Sequence, residues 1–242
     1  MESPQVVSRE EWLAARKELL AKEKEATHLR DAVSAQRRAL PMVEVDKDYV
    51  FEGPDGKAGL ADMFAGRRQL IIYHFMWVRD TDQGCTSCSF VVDSLGDLRH
   101  LHGCDTSLAL VSRAPLASIE RFRTRMGWNV PWYSSQGSDF NYDFHASNDE
   151  AVAPVEYNYM DKETLERKNM GFFAQNDQDG HALSVFLREG DRVFHTYSTY
   201  GRGPEILLTT YNALDFTFLG RQKHVSQFPH HDNYGGESHA CH

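Results

Sequence analysis

Two cysteines separated by two residues, Cys85-Thr86-Ser87-Cys88, are the sharpest chemical feature of the sequence. An apolar run precedes them and a helical pattern follows, so the pair is expected to open a helix. The unpaired N–H groups and the positive dipole end at a helix start favour an anion. A cysteine placed there can exist as thiolate at neutral pH. The second sulfur lies within about one helical turn of the first and can attack a mixed disulfide formed on it. The spacing therefore nominates Cys85 as nucleophile and Cys88 as resolving thiol of a thiol–disulfide oxidoreductase that needs no cofactor. Thr86 and Ser87 add hydroxyl donors without shielding bulk.

A cysteine pair is also half of a zinc site, and zinc needs four ligands. His100 and His102 follow, but a helical residue twelve positions on is about 18 Å away, too far to share an ion. The remaining donors are His230-His231-Asp232, with His239 and His242, in a tail from Phe228 that reads as flexible. Should that tail fold back, Cys85, Cys88, His230 and His231 could hold copper or zinc, the alternative to a redox pair. Cys104 reads as a small packed hydrophobe, and Cys241 has no assigned role.

Strand alternation puts His74 and Met76 on one face of the preceding strand and Phe75 and Trp77 on the other. His74 reads first as a core histidine and second as a proton shuttle. In the loop before the pair, Arg79 could stabilise a thiolate and Asp82 could accept its proton. Arg113 ends the second apolar strand. Residues just past the carboxyl ends of neighbouring parallel strands gather at one edge, so Arg113 is nominated as the third catalytic residue, near the thiolate or an anionic substrate. No phosphate loop, G-x-G-x-x-G or G-x-S-x-G occurs.

The elements that must position these residues follow from periodicity. Ser8 and Glu11 form a capping-box signature. Trp12, Leu19, Ala26 and Val33 recur every seven residues of a Lys-, Arg- and Glu-rich helix that stops before Pro41 and is open to a break near Thr27–His28. Its stripe covers either its own domain or a partner subunit, which would make a homodimer. Val43, Val45, Tyr49 and Phe51 lead into a hairpin turn at Gly53-Pro54-Asp55-Gly56, and Leu60 to Phe64 is a short helix. Leu70 to Trp77 is a buried strand, Ser87 to Leu101 a helix, Leu108 to Ser112 a strand, and Ile119 to Met126 a helix face. Val130 to Tyr133 is a short strand. Residues 137–180 form a long insert whose aromatics read mainly as a satellite core. Ala182 to Leu187 and Arg192 to Tyr197 form a hairpin, and Ile206 to Leu214 the last helix. Two βαβ steps followed by a hairpin predict an α/β fold with a thioredoxin-like mixed sheet and flanking helices. The domains are read as an N-terminal extension at 1–41, the main domain at 42–220, and a His-rich tail at 221–242.

The chain has 242 residues and a formal net charge of −9, a size ample for a core and a charge that disfavours nucleic acid as a partner. The apolar runs are too short for a membrane span, no signal peptide is read at the start, and a reducing cytoplasm is the default compartment.

The stretches YHFMW…GCTSCSFVVD, LVSRAPLASIERFRTRMGW, GSDFNYDF and SVFLREGDRVFHTYSTYGRG, with REEWLAARKELLAKEKE and KDYVFEGPDGKAGLADMF, resemble a bacterial family, domain of unknown function 899, over roughly residues 8 to 234. The resemblance implies a thioredoxin-like fold and a predicted dithiol–disulfide oxidoreductase, with Cys85 and Cys88 in the active position. The partners it implies are a small-molecule or protein disulfide and an external thiol reductant. A third reading is a thioredoxin-like scaffold that binds without catalysis. Two departures stand out. Leu183-Ser184 is read at the place where such folds carry a cis-proline. Val78 and Asp82 stand where peroxiredoxins need Pro and Thr, which argues against efficient peroxidase activity.

Overall fold

The computed structural model describes residues 4–79 and 81–236. The chain divides into two compact units, Met1–Pro41 and Met42–His242. The first holds one helix, α1 (Arg9–Arg38), opened by the expected capping box: Ser8 Oγ accepts from Glu11 N–H at 3.2 Å, and Ser8 N–H donates to the Glu11 carboxylate at 2.9 Å. The helix runs unbroken through Thr27–His28. Thr27 donates its hydroxyl to the Glu23 carbonyl at 2.9 Å, which satisfies the polar group within the helix. No residue of α1 is buried, and Trp12, Leu19 and Leu29 are each more than half exposed.

In the second unit, eight strands form one mixed sheet: β1 (Val43–Glu44), β2 (Val50–Gly53), β3 (Gly56–Gly59), β4 (Gln69–His74), β5 (Thr106–Ser112), β6 (Trp132–Ser134), β7 (Ala182–Glu189) and β8 (Arg192–Tyr200). Their order is β1-β8-β7-β4-β5-β6-β2-β3. β4 and β5 are parallel, β7 lies antiparallel to β4, and β8 returns antiparallel to β7. Three helices complete the pattern: α2 (Thr86–Asp93) between β4 and β5, α3 (Leu116–Arg125) after β5, and α4 (Thr209–Leu214) after β8. A parallel pair joined through a helix, followed by an antiparallel hairpin on the other side of the first strand, is the thioredoxin-like fold. The remaining strands extend the sheet at both edges.

The sheet has two apolar faces because its central strands are apolar on both. Every residue of β5 is buried, as expected for a strand covered on both sides. On β4, Leu70 and Ile72 join Phe51, Phe64, Phe140 and Phe186 on one face. Tyr73 and Phe75 join Val91, Val92, Ile119, Phe122 and Tyr211 on the other, so α2, α3 and α4 pack on that face together. The insert aromatics are mostly core: Phe140 and Phe144 belong to the first cluster, and Tyr157 forms a third with Val155, Leu165 and Ala174.

Two expectations are corrected. The helix anticipated from Ser87 to Leu101 is two pieces. Ser94 donates its hydroxyl back to the Phe90 carbonyl at 2.8 Å and ends α2. A separate turn, Arg99–His102, starts where Asp97 accepts the Arg99 N–H at 2.9 Å. The C-terminal segment is also packed rather than loose as far as it is described. Phe228 lies 4.7 Å from the Phe90 ring, His230 is buried, and Asp232 pairs with Arg125 at 2.7 Å. His239, Cys241 and His242 lie outside the described residues. Among the described residues no helix is long and apolar enough to cross a membrane.

Candidate active site

The chain leaves β4 by a tight route. Phe75 N–H still follows the sheet, donating to the Val111 carbonyl at 2.8 Å. A small hairpin then pairs Trp77–Val78 with Gln83–Gly84. It is fastened by the Trp77 indole N–H on the Thr81 carbonyl at 2.9 Å. Gly84 admits no side chain: a Cβ there would lie 2.7 Å from ring carbons of both Phe75 and Phe122. Directly after it, Cys85 donates its N–H to the Met76 carbonyl at 3.1 Å. Its own carbonyl accepts the Ser89 N–H and hydroxyl, each at 2.9 Å. The Cys85 backbone is thus fixed on both sides, in the extended conformation of an N-cap residue.

Cys85 and Cys88 are free thiols, close but unbonded; Cys85 is partly exposed and Cys88 is fully buried. The Cys85 sulfur makes no close capping bond of the kind a Ser or Asp oxygen makes, yet its acidity is raised strongly. The Cys88 thiol, hydrogen-bonded toward it, does most to draw its pKa down to about 6; burial opposes, and the N–H groups of Cys88 and Ser87 and the Ser87 hydroxyl assist. Cys88 moves the other way. Burial pushes its pKa well up, and the hydrogen bond to Cys85 and the charge there add to this. Tyr73 approaches Cys88 from the sheet, and burial, then the neighbouring Cys88, keeps its phenol protonated. These shifts run along a line of groups, Tyr73 toward Cys88 and Cys88 toward Cys85, in which Cys85 is the one made more acidic and Tyr73 and Cys88 are held protonated.

A cavity of about 1210 Å³ opens at this pair. Tyr73, Met76, Cys85 and Cys88 line it from the sheet and α2, Phe173 from the insert, and Val225 from the C-terminal segment. His181 lines it too, immediately before β7. Leu183-Ser184, read from the sequence as lying just before this strand, are inside β7, paired with Tyr73 and Ile72. No cis peptide bond occurs among the described residues. His181 donates Nε2–H to the Gly201 carbonyl at 2.8 Å, and burial lowers its pKa against that bond, so the ring is neutral.

The other nominated residues are elsewhere. Arg113 lies in a second, polar cavity of about 750 Å³ that shares no lining residue with the first. It binds Asp179 at 2.7 Å and Asp177 at 3.2 Å, and it hydrogen-bonds Tyr142. Arg79, Asp82, Ser118 and Asp177 all line that second cavity, where Arg79 pairs with Asp177 and Asp82 accepts from Ser118 at 2.6 Å; Asp82 also accepts from Arg121 at 2.8 Å. His74 sits on the opposite face of the sheet from α2, stacked on Phe140 and bonded to the Ser184 hydroxyl at 3.0 Å; burial lowers its pKa to about 3. The metal alternative loses its histidines: His230 donates Nε2–H to the Gly84 carbonyl at 3.0 Å and accepts from Arg125 at 3.2 Å on Nδ1, while His231 binds Asp93 at 2.7 Å. Among the described residues no three His, Cys, Asp or Glu side chains gather as a metal site. Tyr73 and His181 were not nominated from the sequence. Tyr73 shares the alternation face of Phe75, which was a usable signal once that face is known to carry α2; for His181 there was none.

The sequence matches the family described as bacterial protein of unknown function (DUF899) over residues 1–234. No curated protein matches it. Solved structures with a similar chain path include peroxiredoxin Q from Xanthomonas campestris, at 13% identity over 68% of this chain and 90% of that one, TM-score 0.41. PrxQ from Xylella fastidiosa is similar at 11% identity over 68% and 88%, TM-score 0.42. Peroxidoxin BcpB from Mycobacterium tuberculosis is similar at 12% identity over 72% and 97%, TM-score 0.45.

Proposed function

The chain belongs to the DUF899 family, and from that premise and the geometry at Cys85 we propose that it is a dithiol–disulfide oxidoreductase, with Cys85 as nucleophile and Cys88 as resolving thiol. The observation that carries the reading is the asymmetry of the pair. One thiol lies partly exposed on a cavity with its pKa drawn down; the other is fully buried beside it with its pKa pushed up. An attacking thiol works best with a pKa near the ambient pH, and that is the position of Cys85. The Cys85 thiolate attacks a disulfide sulfur and displaces one thiolate, which takes the Cys88 proton. The Cys88 thiolate then attacks the Cys85 sulfur, closes the protein disulfide and expels the second thiolate, which takes a proton from solvent. Two electrons leave the protein, and an external dithiol or a pair of thiols in a reducing, cytoplasmic setting returns them.

Arg113 enters this reading as a positioning residue. Its ion pairs to Asp177 and Asp179 tie down the segment that leads directly to His181 at the Cys85 cavity. The exposed stripe of α1 is proposed to mediate self-association. The test of the redox reading is stoichiometric. Reduced protein treated with a disulfide should lose two thiols, and peptide mapping should find them joined as Cys85–Cys88. Cys88→Ser should instead trap a mixed disulfide on Cys85. Loss of thiols at Cys104 with Cys85 still reduced would refute the proposal.

A further inference from the structure

The walls and charges of the Cys85 cavity narrow the substrate. We propose that it is a small disulfide with apolar arms and an anionic end, rather than a hydrophilic peptide disulfide; this rests on the redox reading of Cys85 and Cys88. The volume of about 1210 Å³ exceeds the upper end of the usual small-ligand range, roughly 1,000 Å³, and leaves room for two arms. The walls are mainly thioether, aromatic and aliphatic, with Met76, Val91, Met170, Phe172, Phe173 and Leu208 outweighing polar members such as Asn158 and Gln222. A hydrophilic disulfide would set more amide groups against these carbons than the few polar wall residues can partner, which is costly; alkyl or aryl arms would not.

The charges select the end group. Arg202, Arg221 and Lys223 line the cavity against a single carboxylate, Glu205, in a chain whose net charge is −9. Glu205 is shared between Arg202 at 2.6 Å and Arg221 at 2.7 Å, and Arg221 turns its other edge to Asp215 at 2.6 Å. Among the described residues Lys223 has no ion-pair partner. It is the cation left to receive a carboxylate while the disulfide lies toward Cys85. The reaction balances as before: the substrate S–S bond breaks, the Cys85–Cys88 bond forms, two substrate thiols are released, and two electrons pass to the substrate.

The test is a series with the same reacting bond. Single-turnover oxidation of the reduced full chain is followed with dithiodipropionate, dithiodihexanoate and dithiodiundecanoate, and with oxidised glutathione. The rate constant should rise about two- to fourfold per added methylene that is buried, and oxidised glutathione should be the slowest. Lys223→Glu should cost the diacids about tenfold more than it costs their dimethyl esters. Phe172→Ser, at an exposed wall position, should flatten the dependence on length. Rates that do not vary with length, or glutathione disulfide reacting faster than the longest diacid, overturn this inference and leave the dithiol chemistry standing. Failure of every disulfide to oxidise Cys85 overturns both.

Discussion

Replacing Cys88 by alanine should raise the pKa of Cys85 while leaving its place at the head of α2 unchanged. The Cys88 thiol is the largest influence holding Cys85 near 6. A hydrogen bond to a charged group is worth about 1.5–3 kcal/mol, or about one to two pKa units; since Cys85 is partly exposed, about one unit is the expected rise. Cys88→Ser keeps an O–H donor and should move the midpoint by less than about half that. The assay must be a pH profile rather than a rate at one pH. At pH 7 a thiol with a pKa of about 6 is about 90% ionised, against about 3% for one at about 8.5. Nucleophilicity falls with pKa along a Brønsted slope of about 0.45, so the more acidic thiolate is about 13-fold less reactive, and the net gain at pH 7 is only about twofold. At pH 5.5 the same arithmetic leaves about an 18-fold advantage. Iodoacetamide labelling read out on the Cys85 peptide by mass spectrometry separates it from the exposed Cys104. A wild-type midpoint near 8.5 would refute the site. An unchanged midpoint in Cys88→Ala would assign the acidity to the helix N-terminus alone.

Tyr73→Phe removes the hydroxyl beside Cys88; resolution should slow about two- to tenfold, the worth of one hydrogen bond, and mixed disulfide at Cys85 should accumulate in quenched samples. The reduced protein should also show a two-sided pH dependence of stability. Cys85 has a folded pKa below its unfolded value, so stability rises as pH climbs from about 6 toward about 8.5 and is lost as pH falls back; above that window the raised pKa of Cys88 reverses the slope. Urea midpoints across that range check both signs, and the oxidised protein should show neither slope. Gly84→Ala forces a methyl to 2.7 Å from Phe75 and Phe122, and should cost about 1–3 kcal/mol by overpacking, visible in thermal unfolding. Leu19→Glu, on the exposed stripe of α1, should reduce the sedimentation coefficient if that stripe joins two chains, and an unchanged value would remove the helix as a self-association surface.

The sheet was legible because its signals are local. The run Leu70-Ile71-Ile72-Tyr73 and the run Leu108-Ala109-Leu110-Val111 have the composition of strands buried on both faces, and each is found as one. The Glu189-Gly190-Asp191 turn fixed the β7–β8 hairpin in advance, with Gly190 at a positive φ of 63°. The broken helix after Cys88 was less legible. Phe90, Val91, Leu95, Leu98 and Leu101 keep a helical rhythm through the gap, because the turn after Ser94 returns the chain to the same core. Apolar periodicity reports which residues face the core, not whether the backbone between them is continuous.

The site divides along the same line. The position of Cys85 and Cys88 at the head of α2 could be read from sequence because a short motif following a strand carries its own geometry. Arg113 could not, although the reasoning about strand ends was sound: β4 and β5 are adjacent and parallel, as assumed. What strand order leaves open is the direction in which a side chain leaves the strand end. β5 is buried on both faces, and the Arg113 guanidinium is drawn away from the cysteines' cavity by Asp177 and Asp179, residues more than sixty positions downstream. His181 arrives at the cysteines from that same downstream segment. One stretch of chain, Asp177 to His181, thus supplies carboxylates to one cavity and a neutral imidazole to the other. Any substitution that loosens the Arg113–Asp179 pair should therefore be felt at His181 before it is felt at Cys85.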